Sequence, residues 1–283
     1  MDTLYSLLLL FNLTGINAAS GLQHDQDQLY IVSDNSPYLY HYNVLEERLD
    51  KVLLDSTQQD ELVAKKDKKD FEALCDVGDA LVIVGSGSKP QRQDAFIYDK
   101  RNRNVRHVSL ESIYQQMQEI GEVDRDNFNI EGLTYANGVW YFLNRGNGER
   151  NQNVIFTVGG DLDFVLRPET LRAHHVQLPR IQNYITGFSD GVIVDDRLFF
   201  IATAEDSAST YHDGECKGSY LSYIRLSDWK LGPTSLLSNT KKLEGLALYG
   251  QSADTLTFIL CEDPDDESNT NCPIYRYDFN LGS

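Results

Sequence analysis

One short motif recurs five times along this chain, and each copy carries an oxygen-bearing side chain at the equivalent position. The five positions are Ser20, Glu72, Glu131, Ser189 and Glu244. They lie 52, 59, 58 and 55 residues apart, and the residues left at the two ends of the chain together make a further interval of 59. A constant period of this size, with strand patterns in every unit, indicates a radial repeat.

Each repeat contains several short strand patterns separated by turn residues. In the first unit these are SGLQH, LYIVSD, YLYHYNV and RLDKVLLD. The units show no regular alternation of strands with helices, which would be expected of a parallel sheet. The sequence therefore predicts an all-β fold, a five-bladed β-propeller that forms one domain over residues 1–283.

The last unit lacks its outermost strand, whereas the N-terminus carries a spare one, Leu4–Phe11. We expect this segment to pair with IYRYDFN (residues 274–280) and to close the ring, since closure hides exposed sheet edges. The same apolar run resembles a secretory signal, but no basic residue precedes His24. The strand interpretation is therefore favoured and a cytoplasmic protein is expected, with secretion as the alternative.

Two segments stand outside the repeat. Residues 112–129 place Ile113, Met117 and Ile120 near helical spacing, which predicts a short surface helix in a connecting loop. The run AKKDKKD (residues 64–70) alternates basic and acidic residues and is expected to be a solvated linker.

The four cysteines are expected to be reduced. Cys75 and Cys261 lie within apolar strand patterns and are predicted to be small core residues. Cys216 and Cys272 are assigned to loops, and an even count is weak evidence for disulfides in a chain of 283 residues.

The charge restricts the classes of partner. Asp and Glu number 43 against 25 Lys and Arg, which gives a formal charge of −18. Such a field repels phosphate backbones, so we expect no nucleic-acid partner. The apolar run is too short to span a bilayer, so no membrane partner is expected either. A small anionic substrate can bind only where a metal ion or local arginines reverse the potential, and a monomer is expected.

The repeat positions predict a metal site. If the first strand of each blade lines the channel, then Glu72, Glu131 and Glu244 approach one another together with Ser20 and Ser189. Ionised carboxylates at such a distance repel, and a divalent cation removes the conflict. An oxygen-only ligand set suits Ca²⁺ first and Mg²⁺ or Mn²⁺ next. The alternative is that each residue only caps its own strand.

A second ring of polar residues follows the ends of the second strands. It contains four candidate catalytic residues, which come 14 to 18 residues after the repeat positions: Asp34, Arg145, Glu205 and Glu262. A carboxylate near a metal can orient water or accept its proton, and an arginine can hold a phosphate with two hydrogen bonds. The alternative is that loop tips are polar because they contact water.

These motifs resemble the calcium-activated nucleotidase (apyrase) family. The likeness lies in the order Ser, Glu, Glu, Ser, Glu and in four segments: VSDN (Val32–Asn35), FLNRGNGER (Phe142–Arg150), GFSDGVIV (Gly187–Val194) and KLEGLAL (Lys242–Leu248). The resemblance implies a five-bladed propeller with a central Ca²⁺. The chain also looks like bacterial propellers of unassigned function. It lacks the family's larger insertions between blades and its Trp-rich stretches, so nucleotide specificity is not carried over.

Three functions therefore remain open. The first is a metal-dependent hydrolase of a phosphoric anhydride such as a nucleoside diphosphate. The second is a non-catalytic propeller whose central ion is structural and whose mouth binds a ligand or a protein. The third is a metal-dependent ester or lactone hydrolase, although the Asn- and Asp-containing ligand set of such six-bladed propellers is not seen here. The fold alone does not choose among them.

Overall fold

A computed structural model describes residues 7–58, 60–146, 150–206, 214–264 and 270–282. In these residues the strands form five antiparallel sheets, arranged as the blades of a five-bladed β-propeller. The predicted fold class is therefore confirmed.

Each blade runs outward from the channel in chain order. Blade 1 contains β2 (Ala19–Asp25), β3 (Gln28–Ser33), β4 (Tyr38–Asn43) and β5 (Arg48–Leu53). Blade 2 contains β6 (Phe71–Asp76), β7 (Ala80–Gly85), β8 (Asp94–Asp99) and β9 (Val105–Ser109). Blade 3 contains β10 (Ile130–Ala136), β11 (Val139–Asn144), β12 (Val154–Gly160) and β13 (Leu166–His175). Blade 4 contains β14 (Thr186–Val194), β15 (Arg197–Glu205) and β16 (Cys216–Arg225), with β17 (Lys230–Leu231) and β18 (Ser235–Ser238) both paired to β16.

Blade 5 combines the two ends of the chain. It contains β19 (Leu243–Gln251), β20 (Thr255–Glu262), β21 (Asn271–Asn280) and, on the outside, β1 (Leu8–Thr14) antiparallel to β21. The predicted closing strand is thus confirmed, although it begins and ends later than Leu4–Phe11, and residues 4–6 lie outside the described residues. The Ile16 side chain that follows β1 is fully buried, so this strand is also anchored by packing.

The five inner strands share one irregularity. β2, β6, β10, β14 and β19 contact one another in ring order, and the register of each against its neighbouring strand shifts at the repeat residue. In blade 1, for example, Ala19 pairs with Ser33 and Gly21 with Val32, which leaves Ser20 as the extra residue. Every repeat residue is therefore the extra residue of a β-bulge, which redirects its side chain away from ordinary pairing.

The residue after each bulge lies where the inner strands pack most closely. A β-carbon on Gly245 would lie 2.7 Å from the Cβ of Leu22 in blade 1 and 2.6 Å from the Sγ of Cys261. Gly21, Ala73 and Gly132 hold this position in blades 1 to 3. At Gly245 a larger side chain would force blades 5 and 1 apart, whereas blade 4 carries Asp190 at the equivalent position.

Apolar side chains fill all five interfaces between neighbouring blades, with one core cluster at each. The predicted helix is present as α1 (Glu111–Ile120) and buries Ile113, Tyr114 and Met117 between blades 2 and 3, while Ile120 is 45% exposed. In the described part of the chain, no helix has the length and apolar character needed to cross a bilayer.

All four cysteines lie in the described part of the chain, and no disulfide joins them. Cys75 and Cys261 are buried strand residues. The loop assignment of the other two was wrong: Cys216 is the first residue of β16, and Cys272 is buried in β21. β21 extends further toward the preceding loop than its apolar pattern indicates because it pairs there with β1.

Candidate metal centre

A cavity of about 120 Å³ opens at one end of the channel. Side chains from all five blades and their loops line it: Ser20, Asp34, Lys65, Lys68, Asp70, Glu72, Ser88, Arg92, Asn129, Glu131, Arg145, Glu205, Lys242, Glu244 and Asp263. Seven of the nine residues predicted for the site are in this lining. The other two, Ser189 and Glu262, are not.

The lining is crowded with charge but close to balanced. It contains seven carboxylates and five cationic side chains, so its formal charge is −2 when all of them are ionised. Buried charges of this kind are stable only when each carboxylate has a cation or hydrogen-bond donor nearby. The positions of the five cationic side chains therefore show which carboxylates have a counter-charge within the protein.

One half of the cavity is organised by Arg145, whose side chain is 4% exposed. Its Nη2 donates to Glu205 at 2.9 Å, and its Nη1 lies 3.4 Å from both Glu131 and Glu244. These partners belong to blades 4, 3 and 5. Burial alone would lower the pKa of Arg145, but the three glutamates raise it well above its usual value. A single guanidinium thus joins three blades.

Lys242 extends the same half of the cavity. Its ammonium lies 3.2 Å from Asp263, 3.5 Å from Glu244 and 3.8 Å from Glu205. The charge is still incompletely compensated: burial raises the pKa of Glu131 to about 8 in spite of Arg145. The Oε2 atom of Glu244 is buried and has no hydrogen-bond partner among the residues that the structure describes.

The other half of the cavity holds three carboxylates from blades 1 and 2. One oxygen atom from each of Asp34, Asp70 and Glu72 lies within 4.8 Å of the other two. Asp34 follows β3, Glu72 is the bulge residue of β6, and Asp70 precedes β6 with a left-handed backbone (φ 58°) that aspartate tolerates better than most residues. Asp70 also accepts hydrogen bonds from Ser86 at 2.5 Å and Arg92 at 2.7 Å.

Lys68 contacts two of these three carboxylates. Its ammonium forms a short ion pair with Asp34 and lies 2.7 Å from Asp70. Lys68 is 8% exposed and Asp70 4% exposed, so the expectation that residues 64–70 form a solvated linker was wrong at its C-terminal end. The segment turns inward because buried carboxylates of blades 1 and 2 stabilise the ammonium.

The third carboxylate of this group, Glu72, is the least compensated. In the part of the chain that the structure describes, no ion pair or hydrogen bond is recorded for it. Burial, together with the nearby Glu131 and Asp70, raises its pKa well above the usual value. Burial also raises the pKa of Asp34 to about 6 although Lys68 opposes the shift. Within the described ranges, the Oδ1 atom of Asp34 has no hydrogen-bond partner.

These three side chains fit a hard divalent cation. Three carboxylate oxygens within 4.8 Å of one another are close to the spacing found around one Ca²⁺ ion, since Ca²⁺–oxygen distances are about 2.3–2.6 Å. The donor set is made of carboxylate oxygens alone, which favours Ca²⁺ or Mg²⁺ over softer metals. Such an ion would supply a counter-charge to Glu72 and to the second oxygen of Asp34.

The remaining predicted residues have other partners. Ser20 donates to the carbonyl groups of Phe71 and Val32, which ties blade 1 to blade 2. Ser189 is fully buried and donates to Thr203 at 3.0 Å.

Glu262 lies behind the cavity wall rather than in the lining. It accepts a hydrogen bond from Tyr275 at 2.5 Å and pairs with Lys241 at 2.9 Å. Its predicted catalytic role is untested, as are those of Asp34, Arg145 and Glu205.

The sequence analysis overlooked three cavity residues that share a repeat position. Asp70, Asn129 and Lys242 each come two residues before a repeat glutamate, and all three line the cavity. This offset is a signal that could have identified them.

Asp190 was overlooked for a different reason. It occupies the position after the bulge, where blades 1, 2, 3 and 5 have Gly or Ala. It is fully buried and accepts hydrogen bonds from the backbone N–H groups of Gly191 (2.7 Å) and Leu246 (2.9 Å), and burial raises its pKa well above the usual value. It joins blade 4 to blade 5.

Solved structures show the same type of fold at low identity. Myxococcus xanthus glutaminyl cyclase matches with a TM-score of 0.54 and 10% identity over 96% of this chain and 97% of that one. A luciferin-regenerating enzyme matches with a TM-score of 0.52 and 11% identity over 98% and 96%. Regucalcin from Agrobacterium tumefaciens, described as a calcium-binding protein, matches with a TM-score of 0.49 and 10% identity over 98% and 94%. At these identities the likeness concerns the fold alone.

No curated protein matches the chain. The model of a family of unknown function, DUF6929, matches residues 15–278. The resemblance to the apyrase family therefore stays a prediction from the motifs.

Proposed function

The chain belongs to the family of unknown function DUF6929, and we propose that it is a metal-binding propeller whose cavity holds one hard divalent cation, Ca²⁺ in the first instance. The proposed ligands are Asp34, Asp70 and Glu72, between blades 1 and 2. Glu72 is the residue that this site shares with the ligand set predicted from the repeat. The other repeat glutamates, Glu131 and Glu244, face Arg145 instead.

One observation carries this proposal. Three carboxylates from two blades present oxygens within 4.8 Å of one another, and two of them have oxygens without a hydrogen-bond or ion-pair partner among the described residues. Carboxylate oxygens that are shielded from water without a partner are unfavourable, and a bound cation would remove this cost. A single divalent cation would also offset part of the negative formal charge on the cavity lining.

The position of the site suggests what the ion does. Arg145 joins blades 3, 4 and 5 at the mouth of the channel, whereas the carboxylate cluster lies between blades 1 and 2. An ion bound there would link blades 1 and 2. The ion and Arg145 together would then contact side chains from all five blades. This supports a structural role in the first place.

Calorimetry on EDTA-treated protein tests the proposal. Titration with CaCl₂ and MgCl₂ should show one site per chain, and added Ca²⁺ should raise the melting temperature by an amount that grows with the logarithm of its concentration. Glu72→Gln and Asp34→Asn should weaken binding about tenfold or more, since each removes a charged ligand.

The matched control is Asp79→Asn, which removes an exposed carboxylate paired with Arg101 on the surface. It should leave Ca²⁺ binding unchanged. If wild-type protein binds neither ion, or if all three variants bind alike, the proposed site is wrong.

Hydrolysis of a phosphoric anhydride is the second candidate function. It is favoured by two cationic side chains that line the same cavity as the carboxylate cluster, Arg145 and Lys242. Arg92, which lies 2.7 Å from Asp70, adds a third positive charge. The cavity, of about 120 Å³, has room for an ion together with a small anionic group such as a phosphoryl group.

Phosphate release from nucleoside diphosphates and pyrophosphate, measured with Ca²⁺, Mg²⁺ or EDTA, tests this candidate. Arg145 is the predicted substrate contact, and Asp34, Glu205 or Glu262 is predicted to position water. Activity that needs the divalent ion and is lost in Asp34→Asn would support it. If wild-type protein that binds Ca²⁺ releases no phosphate, the structural role remains.

A further inference from the structure

We propose that Lys68 is the resident counter-ion of this metal centre, and that a divalent cation binds by displacing the Lys68 ammonium from Asp34 and Asp70. The inference rests on the proposed function, because it concerns the same carboxylates. It adds a residue that sets the affinity of the site.

The contacts of Lys68 lead to this proposal. Its ammonium pairs with Asp34 and lies 2.7 Å from Asp70, so it occupies the space in front of two of the three proposed ligands. The side chain is only 10% exposed and lines the cavity. An ion bound to the same oxygens would meet the ammonium at a distance where two positive charges repel strongly.

The local backbone allows the exchange. Lys68 follows a turn in which its N–H donates to the carbonyl of Ala64 at 3.1 Å, and Lys66 in the same segment is 84% exposed. A lysine side chain is a flexible four-carbon chain with rotatable bonds, so the ammonium can move into water without movement of a strand. Asp34 and Asp70 are held by β3 and β6 and need not move with it.

The charge count explains why both states are stable. With Lys68 in place the lining carries −2, and with its ammonium in water the lining carries −3, which a divalent cation reduces to −1. Lys68 therefore keeps blades 1 and 2 together when the ion is absent. The expected consequence is a fold that forms without the metal and is stabilised further when the ion binds, and a site that fills only at higher ion concentration.

The test compares Lys68→Met with Lys66→Met, a matched change two residues away whose ammonium is 3.9 Å from Asp67 at the surface. Calorimetric titration of EDTA-treated protein with CaCl₂ is expected to show about tenfold or tighter binding by Lys68→Met, because the ion no longer competes with an ammonium. Lys66→Met should bind as wild type. Lys68→Arg retains the charge and should bind no tighter than wild type.

Thermal unfolding separates this role from a merely structural one. In EDTA, Lys68→Met should melt below wild type, because Asp34 loses its ion pair and Asp70 keeps only one of its two described ion pairs, that with Arg92. Ca²⁺ should remove most of the difference. If Lys68→Met is too unstable in EDTA to titrate, Lys68→Gln replaces it.

Three results would be decisive. Wild-type protein that binds Ca²⁺ while Lys68→Met binds with the same affinity, or more weakly, overturns the inference but leaves the proposed function in place. An equal loss of melting temperature with and without Ca²⁺ likewise makes Lys68 a structural residue only. If no variant binds a divalent ion, the proposed function itself fails.

Discussion

The guanidinium of Arg145 lies 2.9 Å from the carboxylate of Glu205, although 60 residues separate the two in the chain. Arg145 follows the second strand of blade 3, and Glu205 ends the second strand of blade 4. The same guanidinium contacts Glu131 of blade 3 and Glu244 of blade 5. The mouth of the propeller is therefore held by a buried ion cluster as well as by apolar packing between blades.

Replacing Arg145 should destabilise the fold strongly. Arg145→Met leaves three buried glutamates without their shared cation, and breaking a buried ion pair by removing one partner costs about 3–5 kcal/mol. Arg150→Met is the control, since Arg150 is 63% exposed and pairs with Asp124 at the surface. Urea denaturation measures both variants. Similar unfolding midpoints for the two would show that the cluster contributes little to stability.

The close packing of the inner strands predicts that a single added methyl group lowers the free energy of unfolding. Gly245→Ala places a β-carbon 2.6 Å from the Sγ of Cys261 and 2.7 Å from the Cβ of Leu22, so blades 5 and 1 must separate. We expect a loss of about 1–3 kcal/mol in unfolding free energy. Gly250→Ala on the same strand meets no atom within 4 Å and should be close to neutral.

The closing strand can be tested by truncation. Deleting residues 1–14 removes β1 together with the buried side chain of Leu13, and it exposes the edge of β21. A loss of several kcal/mol should lower the melting temperature by roughly 10 °C. Deleting residues 1–6 leaves β1 in place and serves as the control. Equal melting curves for the two truncations would contradict closure by β1.

The raised pKa of Glu131 predicts how the free energy of unfolding depends on pH. Burial raises its pKa from 4.5 to about 8 in the folded protein, so between these values the folded state binds more protons than the unfolded state. Stability contributed by this group is thus present at low pH and is lost as the pH rises from about 4.5 to 8. In EDTA, unfolding measured from pH 5 to 8 should show a decline that is shallower in Glu131→Gln. Parallel curves for the two proteins would rule Glu131 out as the cause.

The repeat in the sequence was sufficient to predict the blades. A period of 52 to 59 residues requires one strand-rich unit per interval, and the surplus N-terminal strand had one place to pair. The same period identified the bulge residue of every inner strand, because a repeated backbone irregularity keeps the same position in each unit.

The partners of those residues were decided by the tertiary structure. Ser189 and Glu72 hold equivalent repeat positions. Ser189 is nevertheless buried and donates a hydrogen bond to Thr203, while Glu72 lines the cavity. Lys68, in a segment with the composition of a solvated linker, is buried against Asp34. Periodicity records which backbone positions are equivalent. Which charges neutralise one another depends on side-chain length and on distances across the channel, and these exist only once five blades have closed around it.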